Sequence, residues 1–124
     1  MRTILVADDS PALRELISGL LIENGFSVKT AVNGIEALEQ AGQISPDLII
    51  LDVVMPEKNG FQVCRSLKQE PATQHIPVII CSTKDTQADH YWALKQGADA
   101  YIVKPFPENE LIGTVKQLLR NSQK

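Results

Sequence analysis

The stretch Pro46-Asp47-Leu48-Ile49-Ile50-Leu51-Asp52-Val53-Val54-Met55-Pro56 decides the fold. Four apolar residues in a row, Leu48 to Leu51, read as a strand buried on both faces, the kind found in a parallel sheet. The strand runs straight into a carboxylate, Asp52, and then into a turn closed by Pro56 and Gly60. Charged residues are seldom buried without a partner. In open α/β sheets, ligands bind outside the carboxyl ends of the strands. Asp52 is therefore the first candidate for a working residue.

The same alternation continues on both sides of this stretch. Thr3 to Ala7 is an apolar run ending in Asp8-Asp9 and reads as a first strand. Ser10 caps a helix with Pro11 at its first position. Leu13, Leu16, Ile17, Leu20 and Leu21 predict its apolar face, and Asn24-Gly25 its end. Phe26 to Ala31 is a second strand. Asn33, with Glu36 three residues on, opens a second helix with Ile35, Leu38 and Ala41 inward and Gly42 as its stop. After Gly60 a third helix carries Phe61, Val63, Cys64 and Leu67, and Pro71 to Pro77 reads as a loop. Val78 to Cys81 is a fourth buried strand ending at Ser82-Thr83. A fourth helix is predicted from about Asp85 to Gln96, stopping at Gly97. Tyr101 to Val103 is a short fifth strand ending at Lys104-Pro105. Pro107 starts a last helix with Leu111, Ile112, Val115, Leu118 and Leu119 inward, and the polar tail from Asn121 is expected to fray. Five strand–helix alternations with short connections predict a parallel sheet covered by helices on both faces, as one domain over residues 1–124.

Composition agrees with that class. A chain of 124 residues supports a single core. A hydrophobic share of 44% with 22% charged residues is ordinary for a globular domain. A net charge of −3 argues against a nucleic-acid surface. No apolar run reaches membrane-spanning length and no signal peptide opens the chain, so a cytoplasmic protein without membrane insertion is expected. Cys64 and Cys81 fit no metal-ligand spacing and read as small core residues.

The chemistry lies at the strand ends. The first strand ends in Asp8-Asp9, the third in Asp52, the fourth in Ser82-Thr83 and the fifth in Lys104. A parallel sheet puts all of these on one edge. Three carboxylates brought together repel one another and call for a cation. Oxygen ligands at a shallow site suit Mg²⁺, which pairs with phosphate oxygens. A lysine and a hydroxyl beside it are suited to holding a phosphoryl group, and an aspartate can be the nucleophile that forms an acyl phosphate. Taken singly, each residue has a simpler account. Asp8 and Asp9 favour a helix dipole, Asp52 suits a turn, and Lys104 could be a solvated cation. Their conjunction at four strand ends is what points to a site.

These residues carry a resemblance. Asp8-Asp9, Asp52 with Met55-Pro56 and Gly60, Ser82, and Lys104-Pro105-Phe106 make the chain similar, over essentially its whole length, to the receiver domains of two-component response regulators, the CheY-like family. The resemblance implies a (βα)5 flavodoxin-like, doubly wound five-stranded sheet in the order 2-1-3-4-5. It implies Asp52 as phosphoacceptor. It also implies Mg²⁺ held by Asp9, Asp52 and the backbone carbonyl of Val54, with Asp8 acting mainly through water. Ser82 would hydrogen-bond the phosphoryl group, Lys104 would pair with it, and Lys104-Pro105 would be cis. Such a domain catalyses only its own phosphorylation and dephosphorylation. Its implied partners are a CheA-like sensor histidine kinase and a downstream protein, without direct nucleic-acid contact. The implied state is a monomer or a weak dimer through the face of the fourth helix, fifth strand and fifth helix. Tyr101 is the aromatic that swings inward in the family; a half-buried tyrosine with a wet hydroxyl is the alternative. Trp92 is either a partner anchor or packing on the fourth helix.

A narrower resemblance, in Ser82-Thr83-Lys84-Asp85 through Asp89, Trp92 and Gly97-Ala98, is to PilH-type regulators of chemotaxis-like systems in type IV pilus motility. The chain departs from the common pattern at Ser82, where threonine is commoner, and at Thr83, where alanine or glycine is usual. It also places Val54 and Lys84 where polar or acidic side chains can assist hydrolysis. Two other classes remain in view. An aspartyl phosphatase would want a second acid at Val54, and a flavodoxin-like flavin binder would want a phosphate loop where Asp8-Asp9-Ser10-Pro11 stands.

Overall fold

The structure, a computed structural model, describes residues 1–121. Five strands, β1 (Thr3–Ala7), β2 (Ser27–Ala31), β3 (Leu48–Asp52), β4 (Val78–Ser82) and β5 (Ala100–Val103), alternate with five helices. The helices are α1 (Pro11–Glu23), α2 (Gly34–Ile44), α3 (Gly60–Gln69), α4 (Gln87–Lys95) and α5 (Glu108–Asn121). All strand pairs are parallel and the order is β2-β1-β3-β4-β5, the flavodoxin-like arrangement. Among the described residues, no helix is long and apolar enough to cross a membrane.

The period-2 alternation of the strands divides the core into two layers. Leu5, Ile49, Leu51 and Ile80 pack with Ala37, Val63, Leu67 and Ala93 of α2, α3 and α4. Ile4, Val6, Ile50 and Ile79 pack with Ile17, Leu21, Leu111 and Val115 of α1 and α5. The sheet is therefore covered on both sides, which is why β3 and β4 carry no polar residue before their last positions. Both cysteines are buried and unbonded to each other, as their sequence context suggests.

Local chemistry sets the helix boundaries. The Ser10 hydroxyl accepts from the Leu13 amide at 3.3 Å with Pro11 at the first turn, and Gly25 follows α1 at a φ of +89°. Four expectations shift. Gly42 does not end α2, which runs on to Ile44 and closes at Ser45 in the left-handed region, just before Pro46. Ile35 is exposed, and the buried line of α2 is Gly34, Ala37 and Ala41. The reason is a close approach: a Cβ on Gly34 would strike the Lys58 carbonyl, so the small residues must face inward. Leu16 is likewise exposed while Ile17, Leu20 and Leu21 carry the packing of α1. Finally, α4 begins at Gln87 rather than Asp85, because Thr86 and Asp89 form a capping box. The tail expected to fray lies outside the described residues beyond Asn121, which itself closes α5.

Candidate functional site

Parallel register brings the site together. Ala7 pairs with Leu51, so Asp8 and Asp52, the next residues, are level on one edge of the sheet. Asp52 in turn lies opposite Cys81, and Val103 lies opposite Ser82. Carboxylate oxygens of Asp8, Asp9 and Asp52 come within 4.8 Å of one another. Lys104, next after β5, places its Nζ between two of them, donating to Asp8 Oδ2 and to Asp52 Oδ1 at 3.0 Å each. Three carboxylates and one ammonium leave the cluster two negative charges in excess.

Each acid is held differently. Asp8 is buried, and its second oxygen takes the Ser10 amide at 2.9 Å. Its carbonyl takes Arg14 Nη1 at 2.7 Å. Asp8 thus has both carboxylate oxygens engaged within the protein. Asp9 is exposed, and its carboxylate accepts no hydrogen bond among the described residues. Asp52 uses one oxygen on Lys104, and its side chain is 12% exposed. Oxygen donors, a residual negative charge and an exposed acid without a partner fit a hard divalent cation.

The electrostatics of the pair are uneven. Burial raises the Asp52 carboxyl above the ordinary value of 3.8, and the like charges of Asp8 and Asp9 add to it. The single bond from Lys104 does not offset them. Lys104 has the opposite balance. Burial pulls its pKa down, but two carboxylates outweigh it and the ammonium is raised above 10.5. One cation serves two acids, so the lysine gains more from the contact than Asp52 does.

The β3–α3 loop is built around Asp52. Val53 and Met55 are buried, and the Gly60 amide donates to the Val53 carbonyl at 2.9 Å. A Cβ on Gly60 would collide with the Asp52 carbonyl. Asn59 and Gln62 close the loop with reciprocal bonds of 2.9 Å, a capping box that starts α3. Glu57 takes a φ of +72°, uncommon outside glycine. Val54 is exposed, and its carbonyl accepts no hydrogen bond among the described residues.

Ser82 is buried at the end of β4, and its carbonyl takes the Lys104 amide at 2.7 Å. Its hydroxyl accepts from the Lys84 amide at 3.0 Å, which pins the β4–α4 loop. The Tyr101 hydroxyl donates to the Lys84 carbonyl at 2.8 Å, so the same residue is held from both sides. Burial raises the Tyr101 phenol, against the pull of the Ser82 hydroxyl. His90 stacks obliquely on the Tyr101 ring at 4.4 Å and lies 3.1 Å from Asp85. Trp92 does not join this group. It is two residues beyond His90 on α4 and lines a groove shared with Arg65 and Lys68 of α3. The Lys104-Pro105 bond is cis.

Three contributors were not singled out by sequence: Arg14 behind Asp8, His90 against Tyr101, and the Asn59–Gln62 box. Only the last has a sequence signal, an N-cap residue followed three positions later by Gln. Arg14 and His90 act across tertiary contacts that no spacing announces.

Residues 4–116 match the family described as response regulator receiver domain. The chain belongs to that family. PilH of Pseudomonas aeruginosa is 40% identical over 96% of this chain and 98% of its own length. The chemotaxis protein CheY4 of Vibrio cholerae superposes with a TM-score of 0.89 at 30% identity, covering 95% of this chain and 98% of that one. The DNA-binding transcriptional regulator RpaA of Synechocystis is 38% identical over the whole chain, which spans 52% of its length. Receivers partner with histidine kinases and are signalling domains rather than enzymes in the ordinary sense.

Proposed function

We propose that the protein accepts a phosphoryl group on Asp52 from a phosphohistidine of a CheA-like sensor kinase, with Mg²⁺, and signals by binding another protein. One observation carries this: Lys104 lies between Asp8 and Asp52, with Asp9 beside them, on the carboxyl edge of a receiver sheet. In the reaction a carboxylate oxygen of Asp52 attacks phosphorus. The P–N bond of the phosphohistidine breaks, and its electron pair returns to the imidazole. Hydrolysis later splits the acyl phosphate with water and restores the carboxylate. Mg²⁺ would be held by Asp9, Asp52 and the Val54 carbonyl, with Asp8 reached through water, and it would neutralise charge on the phosphoryl oxygens. Asp52 provides an oxygen that burial leaves poorly solvated. Lys104 is within reach of the oxygen that would carry the phosphoryl group, and Ser82 stands at the neighbouring strand end. Recruiting the Ser82 hydroxyl to a phosphoryl group would weaken its hold on the Lys84 amide, and with it the loop on which Tyr101 rests. That gives a route from Asp52 to the face of α4, β5 and α5 by population shift.

The likeness to PilH, and to a chemotaxis protein among the solved structures, supports a place in pilus-based motility or taxis. The test is incubation with acetyl phosphate or beryllofluoride and Mg²⁺, read by mass and by Trp92 emission. Wild type should gain one phosphoryl group in a Mg²⁺-dependent way, and Asp52→Asn should not. An unmodified wild type would overturn the assignment.

A further inference from the structure

The fourth helix turns its large apolar side chains outward. Of Gln87–Lys95 only Ala93 is buried, while Tyr91, Trp92 and Leu94 are each more than half exposed. Lys95 lies 5.6 Å from the centre of the Tyr91 ring. Trp92 borders a groove of about 530 Å³ between α3 and α4, walled also by Arg65, Lys68, Lys95 and Gly97. That volume lies within the range of ligand-binding clefts, roughly 300–1,000 Å³.

The groove has a fixed floor. Gly97 has a φ of +95°, and a Cβ there would run into the Lys68 side chain, so the two helices close on each other at this point. The Lys68 ammonium is already engaged, at 2.9 Å from Asp99 and 2.8 Å from the Ile76 carbonyl. Arg65 and Lys95 are exposed and have no carboxylate partner among the described residues. The acids nearest Lys95 in sequence are committed elsewhere, while Glu70, five residues after Arg65, is exposed and forms no ion pair among the described residues. Asp89 caps α4 through the Thr86 amide and hydroxyl, and Asp99 holds Lys68 and the Val78 amide. An exposed indole thus lies beside two positive charges that make no ion pair among the described residues, on a chain whose net charge is −3.

Tryptophan and arginine are the residues that most often anchor protein interfaces. A nucleic acid would need a longer run of cations and would meet the chain's negative net charge. We infer that the α3–α4 groove docks an acidic segment of a partner protein, with an apolar side chain of that segment on Trp92 and its carboxylates toward Arg65 and Lys95. Both helices begin at loops that leave the acid cluster, but the groove is lined by their later residues, from Arg65 and from Trp92 onward, so such a segment would touch both without covering Asp52.

Trp92 is the only tryptophan of the chain, and its emission reports the groove directly. A Glu-rich peptide with Leu and Phe on one helical face should shift that emission saturably, and less so at high salt. The same peptide with Lys for every Glu should not. The double reversal Arg65→Glu with Lys95→Glu, at exposed positions, should weaken binding about tenfold or more with an unchanged melting curve. Trp92→Ala should abolish it, measured by anisotropy of the labelled peptide. Asp52→Asn should leave it unchanged, which separates this site from phosphoacceptance. The inference fails if neither peptide or both peptides act, or if the double reversal changes nothing. It also fails if a single-stranded oligonucleotide displaces the peptide's signal, or if emission changes with protein concentration alone, which would assign the groove to a second copy.

Discussion

Lys104→Met removes the one cation of the acid cluster. Its Nζ lies 3.0 Å from Asp8 and 3.0 Å from Asp52. At an effective dielectric of about 20, each such pair attracts by roughly 5–6 kcal/mol. Desolvation of the three side chains, which are 9%, 3% and 12% exposed, offsets most of that. Methionine removes the partner rather than the pair, and stripping one side of a buried ion pair costs about 3–5 kcal/mol. A ceiling applies at Asp52: a carboxyl with an ordinary value of 3.8 can take up a proton at pH 7 for about 4.4 kcal/mol, so leaving it unpaired can cost no more than that. The expected loss is about 3 kcal/mol at pH 7, in urea unfolding at low salt without divalent cations. The sign with pH is fixed by the raised Lys104. Its stabilisation is complete below the ordinary lysine value of 10.5 and is lost as pH rises through the raised folded value. On the acid side, the gap between wild type and variant should narrow as Asp52, whose carboxyl is raised above 3.8, protonates. Mg²⁺ should narrow it, because a cation bound by the variant replaces part of the missing charge. A variant as stable as wild type at pH 7, or a gap that widens on acidification, would refute this account.

Other substitutions bear on neighbouring parts of the structure. Asp52→Asn should raise stability by about 1 kcal/mol without metal, because the ionised carboxylate is penalised in the fold. The gain should be full above the raised folded value and vanish below 3.8, as followed by urea unfolding across pH. Gly60→Ala should cost about 2–3 kcal/mol and blunt the response of Trp92 emission to Mg²⁺ with beryllofluoride, since the new methyl group meets the Asp52 carbonyl. Burial pushes the thiols of Cys64 and Cys81 up to about 12. Ellman's reagent should therefore react with the folded protein far more slowly than with the urea-unfolded chain, and rapid labelling of both thiols in the native state would contradict their burial.

Most of the fold was legible because its strands are extreme. Leu48 to Leu51 and Val78 to Cys81 are buried at every position, so the apolar run is itself the burial record. The convergence of Asp8, Asp9, Asp52 and Lys104 followed from parallel pairing alone, since that topology aligns all strand ends. Side-chain contacts across elements were not legible. Periodicity placed Ile35 inward, but the approach of Gly34 to Lys58 turns α2 so that Ala37 faces the sheet. Asp85 and Thr86 are both good caps, and only the bonds between Thr86 and Asp89 choose between them. The position of His90 on the Tyr101 ring depends on how α4 lies against β5, which no local pattern encodes.

The span between Lys104 and Asp8 also bears on how the site comes into being. The two residues are 96 positions apart, and Lys104 is 52 from Asp52. A ribosome delivers the acids first and the lysine late, while the N-terminal part of a chain tends to fold ahead of the rest. A nascent chain that has released β1 to β4 but not β5 holds its carboxylates without their internal counter-charge. Until the fifth strand emerges, that charge must be met by protons or by ions from the surroundings. Divalent cation during translation would then act on the pairing of β1 with β3, well before any phosphoryl group reaches Asp52.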